Sequence, residues 1–102
     1  MKLTVKDRVV FPGLYPSESS LTDQIYRKDI DGKVRFTQKE IEKYEIKSSS
    51  KNITWNPNKI QEKEVEFTKG ELNFLKEQVT RLDSNKKITP DLTDVCLKIK
   101  NA

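Results

Sequence analysis

A chain of 102 residues, 33% hydrophobic and 35% charged, can close one small core under a heavily charged surface without a metal or a disulfide framework. Its 20 basic and 16 acidic residues are interleaved, so the net charge of +4 describes a mixed, solubilising surface more than the basic stripe of a nucleic-acid binder. The lack of histidine and the single cysteine exclude Ser-His and Cys-His nucleophiles, histidine metal sites and thiolate zinc clusters, and no metal or organic cofactor is expected.

The first segment carries two patterns. Leu3, Val5, Val9 and Phe11 suit a strand, whereas Thr4 with Asp7 is a capping pair and Val5, Val9 and Val10 suit a short helix stopped by Pro12-Gly13. The helix is the preferred reading. RVVFPG is also similar to the opening of an SH3-like barrel, but the chain lacks the further strands such a barrel needs. Ser20 and Asp23 open a second helix through Ile25, Tyr26, Ile30 and Val34, with the last three on one face and Gly32 weakening it.

The phrase FTQKE at 36–40 returns at 67–71 as FTKGE. Each copy is a capping box with a hydrophobic staple: Thr37 with Glu40 and Phe36 with Ile41, then Thr68 with Glu71 and Phe67 with Leu72. The repeat therefore marks helix starts and implies no duplicated domain. The first copy opens a short segment. The second opens a long helix in which Leu72, Leu75, Val79 and Leu82 share a face and Glu77 can pair with Arg81 on the wet side.

Between the copies, Ile53 and Trp55 alternate with polar residues, as do Val65 and Phe67, and Asn56-Pro57-Asn58 supplies a turn. These are read as one hairpin at about 52–67, with Trp55 as a core anchor. Thr89, Pro90 and Asp91 open a last helix through Val95 and Ile99, which places Cys96 on a buried face with Leu92. The expected fold is α+β: a small, mainly helical single domain over residues 1–102, with one two-stranded antiparallel β-hairpin between N-terminal and C-terminal helices. MKLTVKDRVVFPG has no apolar run long enough for a signal peptide, and no later stretch could span a bilayer, so a cytoplasmic location without membrane contact is expected. Asn52-Ile53-Thr54 matches the glycosylation pattern by chance.

The ordered phrases LTVKDRVV, GLYP, FTQKEI, ITWN, KEVEF, LKEQVTRLD, KKIT and DLTDVCLKI run through nearly the whole chain. This order resembles a family of small proteins of unassigned activity, widespread in bacteriophage and prophage genomes. Phe11-Pro12 and the run Asp29, Asp31 and Gly32 depart from the family pattern of its first two helices. The resemblance implies a small phage-type protein and brings no catalytic motif.

Three function classes remain. Glu62, Glu64 and Glu66 are closely spaced carboxylates, but alternation on an edge strand suits a solvated face, and catalysis is not expected. Three helices followed by a hairpin is the element order of a winged helix, with Lys39, Lys43 and Lys47 on or just after the third helix and Lys51, Lys59 and Lys63 on the wing as phosphate contacts. Glu40, Glu42 and Glu45 on that same helix oppose DNA, so nucleic-acid binding is the alternative. The preferred reading is a non-enzymatic protein–protein interaction module acting on another protein or on itself. Phe74, beside the long helix's stripe, either completes the core or serves a partner.

Overall fold

Capping boxes start three of the helices. Thr4, Thr37 and Thr68 each accept the backbone N–H of the residue three positions on, and Asp7, Glu40 and Glu71 each accept the threonine N–H in return. They open α1 (Val5–Val10), α3 (Gln38–Lys43) and α4 (Lys69–Ser84). Ser20 caps α2 (Leu21–Val34) by accepting from the Asp23 N–H. The computed structural model describes residues 1–50 and 52–102, which form five α-helices and two small antiparallel sheets.

The first segment follows the helix reading: of Leu3, Val5, Val9 and Phe11 only Leu3 is extended, and the strand alternation does not form. Leu3 lies on a two-residue strand, β1 (Lys2–Leu3), and α1 follows at once from its Thr4 cap. Pro12-Gly13 does not simply stop the helix; it tightens the path into a 3-10 turn over Phe11–Leu14 whose two ends, Phe11 and Leu14, are completely buried. The last helix differs from expectation in a similar way. Pro90–Leu92 forms a 3-10 turn, the Thr89 side chain caps nothing, and α5 (Thr93–Lys100) begins only after it. Thr93 donates its hydroxyl back to the Thr89 carbonyl at 3.2 Å.

The single hairpin at 52–67 requires correction. Both strands exist, but they do not pair with one another. β3 (Ile53–Thr54) pairs with β2 (Lys47–Ser48), and β4 (Lys63–Glu64) pairs with β1, placing Lys2 opposite Glu64 and Leu3 opposite Lys63. Alternation specifies that a segment is extended, not which edge it joins. Here the partner is chosen by burial: Leu3 and Val65 both enter the core, and the Val65 N–H donates to the Met1 carbonyl at 2.9 Å. Asn56-Pro57-Asn58 does turn the chain, with the Asn58 N–H donating to the Asn56 side chain at 3.0 Å. That turn is tied back to the end of α3, where the Asn56 N–H donates to the Tyr44 carbonyl at 2.9 Å.

α4 is the central element and packs on α2, α5 and the first 3-10 turn. Phe74, Leu75, Val79 and Leu82 face the cluster formed with Phe11, Leu14, Ile30, Val34, Val65, Val95, Cys96 and Ile99. Phe74 therefore completes the core, and Cys96 is buried as expected. Trp55 is half-buried and, among the described residues, lies outside that cluster. The Glu77–Arg81 pair does not form: Arg81 turns inward, its Nε donating to Gln78 Oε1 at 3.0 Å and a terminal nitrogen to the Leu14 carbonyl at 3.4 Å. Those two acceptors sit beside the core and need a donor, which the guanidinium supplies by turning away from the solvated Glu77.

Two glycines in helices should respond oppositely to alanine. A Cβ on Gly70 would lie 2.5 Å from the Tyr26 hydroxyl and 3.0 Å from Cζ, where the Tyr26 ring crosses the first turn of α4 on its way to Phe74, 5.9 Å between ring centroids. At Gly32 in α2 nothing lies within 4 Å. Gly32→Ala is expected to gain about 0.5–1 kcal/mol from helix propensity. Gly70→Ala should lose about 1–2 kcal/mol, because the overlap outweighs the same propensity gain. Urea denaturation of dilute protein measures both, and Tyr26→Phe should recover part of the Gly70→Ala loss.

Candidate interaction faces

The capping acids do a second job. Glu40 accepts from the Thr37 N–H and also takes both terminal nitrogens of Arg8, at 2.6 and 2.9 Å. Arg8 has a fully buried side chain, lies 4.1 Å from the Phe36 ring centroid and donates further to the Val34 and Arg35 carbonyls. In the second phrase, Glu71 accepts from the Thr68 N–H and from Lys33 at 2.6 Å, with Lys33 6.0 Å from the Phe67 ring centroid. The phenylalanine and glutamate of each phrase thus hold one cation from another helix. Asp7 repeats the acid's part with Lys98, at 2.5 Å. The recurring phrase is a latch as well as a cap.

These contacts set the acidity of the carboxyls. The Arg8 hydrogen bonds hold Glu40 down at about 2, against the opposing effect of burial. Burial pushes Glu71 upward, but hydrogen bonds from Lys33 and the Thr68 N–H outweigh it and leave the group below its ordinary value. Asn56 and then Lys59 lower Glu45, and the Met1 ammonium lowers Glu64. Burial raises the Cys96 thiol and the Tyr15 phenol. Glu62, Glu64 and Glu66 are all exposed, as expected for a solvated edge.

The lysines considered for phosphate contact are dispersed. Lys47 is exposed on β2, and Lys59, in the Asn-Pro-Asn turn, reaches Glu45 at 3.5 Å. Lys63 is on β4, in the other sheet, and Lys51 lies outside the described residues. Lys39 is exposed on α3, while Lys43 donates to Gln61 at 3.2 Å. α3 itself has six residues and offers Glu42 and Lys39 to solvent, with Glu40 committed to Arg8. One and a half turns give little length to lie in a major groove.

The apolar surface is more suggestive. Val9, Phe36, Ile46 and Ile53 line a groove of about 240 Å³ between α1, the end of α2 and the β2–β3 hairpin. A larger groove, about 670 Å³, is lined by Met1, Val65, Phe67, Leu72 and Ala102, with Lys2 and Lys98 at its polar edge. On α2, Tyr26, Ile30 and Val34 turn toward the core as predicted, leaving Leu21 78% exposed and Ile25 53% exposed one turn apart on the opposite side. Ile25 belongs to this helix by expectation, with no face assigned to it. At 100° per residue, Leu21 and Ile25 fall opposite Ile30, and that arithmetic was the available signal.

No helix among the described residues is long and apolar enough to cross a membrane, and no group of three or more His, Cys, Asp or Glu side chains among them could hold a metal ion. Comparison with protein-family models, with curated proteins and with solved structures finds no match to this chain.

Proposed function

We propose that the chain is a non-catalytic protein–protein interaction module of the phage and prophage type, working in the cytoplasm and docking through the outer face of α2. The observation that carries the reading is the pair Leu21 and Ile25, large apolar side chains one turn apart and opposite the core face of a well-capped helix. Single exposed leucines are ordinary, but an i, i+4 pair on a rigid helix is the unit by which helices dock. The carboxyls with resolved shifts are each lowered by a partner of this chain, Arg8, Asn56, the Met1 ammonium or Lys33, which suits structural pairing. A free, buried Cys96 fits a reducing compartment. The phage-type assignment rests on the ordered sequence phrases.

Nucleic-acid binding is the alternative, favoured by one observation: α1, α2 and α3 are followed directly by the β2–β3 hairpin, the order of a winged helix. One experiment separates the two. A photoreactive residue placed at Leu21 or Ile25, in the producing cell, should yield discrete protein adducts that the same group at exposed Asn73 does not. Tight duplex binding at physiological salt that is lost when Lys47, Lys59 and Lys63 become alanine would instead establish the alternative.

A further inference from the structure

The outer face of α2 is unlike at its two ends. Leu21 and Ile25 project from the N-terminal half, and Gly32, exposed and with nothing within 4 Å of where a Cβ would stand, leaves the C-terminal half bare. Leu21, Ile25, Lys28 and Gly32 follow a four-three-four spacing along one side of the helix. Leu21 and Gly32 are eleven residues apart, about 16 Å or three turns. Gly32 also borders an open depression of about 300 Å³ bounded by Lys33 and by Lys63 to Glu66. One end of the face carries large apolar side chains and the other has none at Gly32, where a Cβ would meet nothing within 4 Å.

We infer that this face docks a second copy of the same chain, the two α2 helices lying antiparallel about a two-fold axis so that Leu21 of each copy covers Gly32 of the other. This inference rests on the interaction-module reading and names its partner. Charge agrees with shape. Residues 18–24 carry Glu18 and Asp23 and no base, whereas 27–35 carry Arg27, Lys28, Lys33 and Arg35 against Asp29 and Asp31. With Lys33 held by Glu71 and Arg35 by Asp31, Arg27 and Lys28 still leave that half basic beside Asp29. Antiparallel pairing brings acidic end to basic end and opposes the helix dipoles; parallel pairing sets acid on acid and leaves Gly32 facing Gly32 across a gap. The contact is isologous, so it closes at two copies. A single pair of helices of 14 residues falls at the small end of interfaces, below about 1,200 Å², and should be weak and concentration-dependent.

Light scattering on the full chain, from roughly 10 μM to 1 mM, tests it. The mass is expected to rise from 11.9 kDa toward about twice that value. Leu21→Gln and Gly32→Gln should each hold it at 11.9 kDa with an unchanged circular dichroism spectrum. Gly32→Gln is the discriminating variant: it adds bulk and no charge where the monomer has open space, so it is harmless to the fold and would leave indiscriminate association through Leu21 untouched. A dimer that survives Gly32→Gln overturns the arrangement. A wild-type chain that stays monomeric to 1 mM overturns self-pairing altogether; photo-adducts from Leu21 and Ile25 to a different protein would then preserve the broader interaction reading while refuting this one.

Discussion

Phe11→Ala should lower the unfolding free energy by about 3–5 kcal/mol, whereas Trp55→Ala should lower it by about 1–2 kcal/mol. The order is the opposite of what residue type suggests. Phe11 is completely buried, lies 6.1 Å between centroids from both Phe67 and Tyr15, and joins the cluster led by α4. Removing it opens a cavity lined by side chains from several elements. Trp55 follows a two-residue edge strand whose Ile53 is 42% exposed, and it lies outside that cluster. Loss of its ring is relieved by local movement and by water. Urea denaturation of the two variants decides the matter, and a Trp55→Ala loss equal to or larger than that of Phe11→Ala would make the tryptophan the anchor after all.

The contrast illustrates which parts of this fold are written locally. Helix starts were legible because a cap is a local chemical device: Thr4, Ser20, Thr37 and Thr68 announce themselves within four residues, and each caps a helix. Helix ends were less so. α3 and α4 stop with Glu45 and Lys86 in the left-handed region, φ 54° at both, where a glycine would have signalled the stop. The Pro90 turn was half legible, since proline fixes the first residue of a helical path without deciding whether that path begins as a 3-10 or an α turn. Strand partners were not legible at all. Nothing in ITW or KEVEF distinguishes pairing with each other from pairing with Lys47–Ser48 and Lys2–Leu3, because the choice depends on which hydrophobic residues the helices leave uncovered.

The candidate face was partly legible for the same reason. Its core side, Tyr26, Ile30 and Val34, follows from spacing alone, and Leu21 and Ile25 then fall on the outside by geometry. What spacing does not reveal is whether another element covers that side, as α5 and the 3-10 turn cover parts of α4. The latches were invisible for a deeper reason. Glu40 and Glu71 read as capping acids whatever cation they also hold, and Arg8 and Lys33 read as two of many surface bases until the helices that carry them are placed.

Removal of the Arg8 guanidinium should be among the most damaging single changes, about 3–5 kcal/mol for Arg8→Ala. The side chain is fully buried, and its loss strands the Glu40 carboxylate together with the Val34 and Arg35 carbonyls at the junction of α1, α2 and α3. Arg8→Lys should not rescue it, since one ammonium cannot reproduce a two-point contact with the carboxylate and two further backbone bonds. The pH dependence follows from the same pair. Glu40 loses its proton at about 2 in the folded chain instead of 4.5, which amounts to about 3 kcal/mol of stability. The folded value is the lower one, so this contribution is present in full above about 4.5 and disappears as the pH falls toward 2. Glu71, Glu45 and Glu64 are lowered too, so acid lability of the wild type alone does not isolate Glu40. The measurement that does is the difference between wild type and Glu40→Gln, because a protonated glutamate and a glutamine present nearly the same group to Arg8. That difference should be about 3 kcal/mol near neutrality and shrink to almost nothing at the acid end; a gap independent of pH would mean that Arg8 and Glu40 are joined by shape and not by charge.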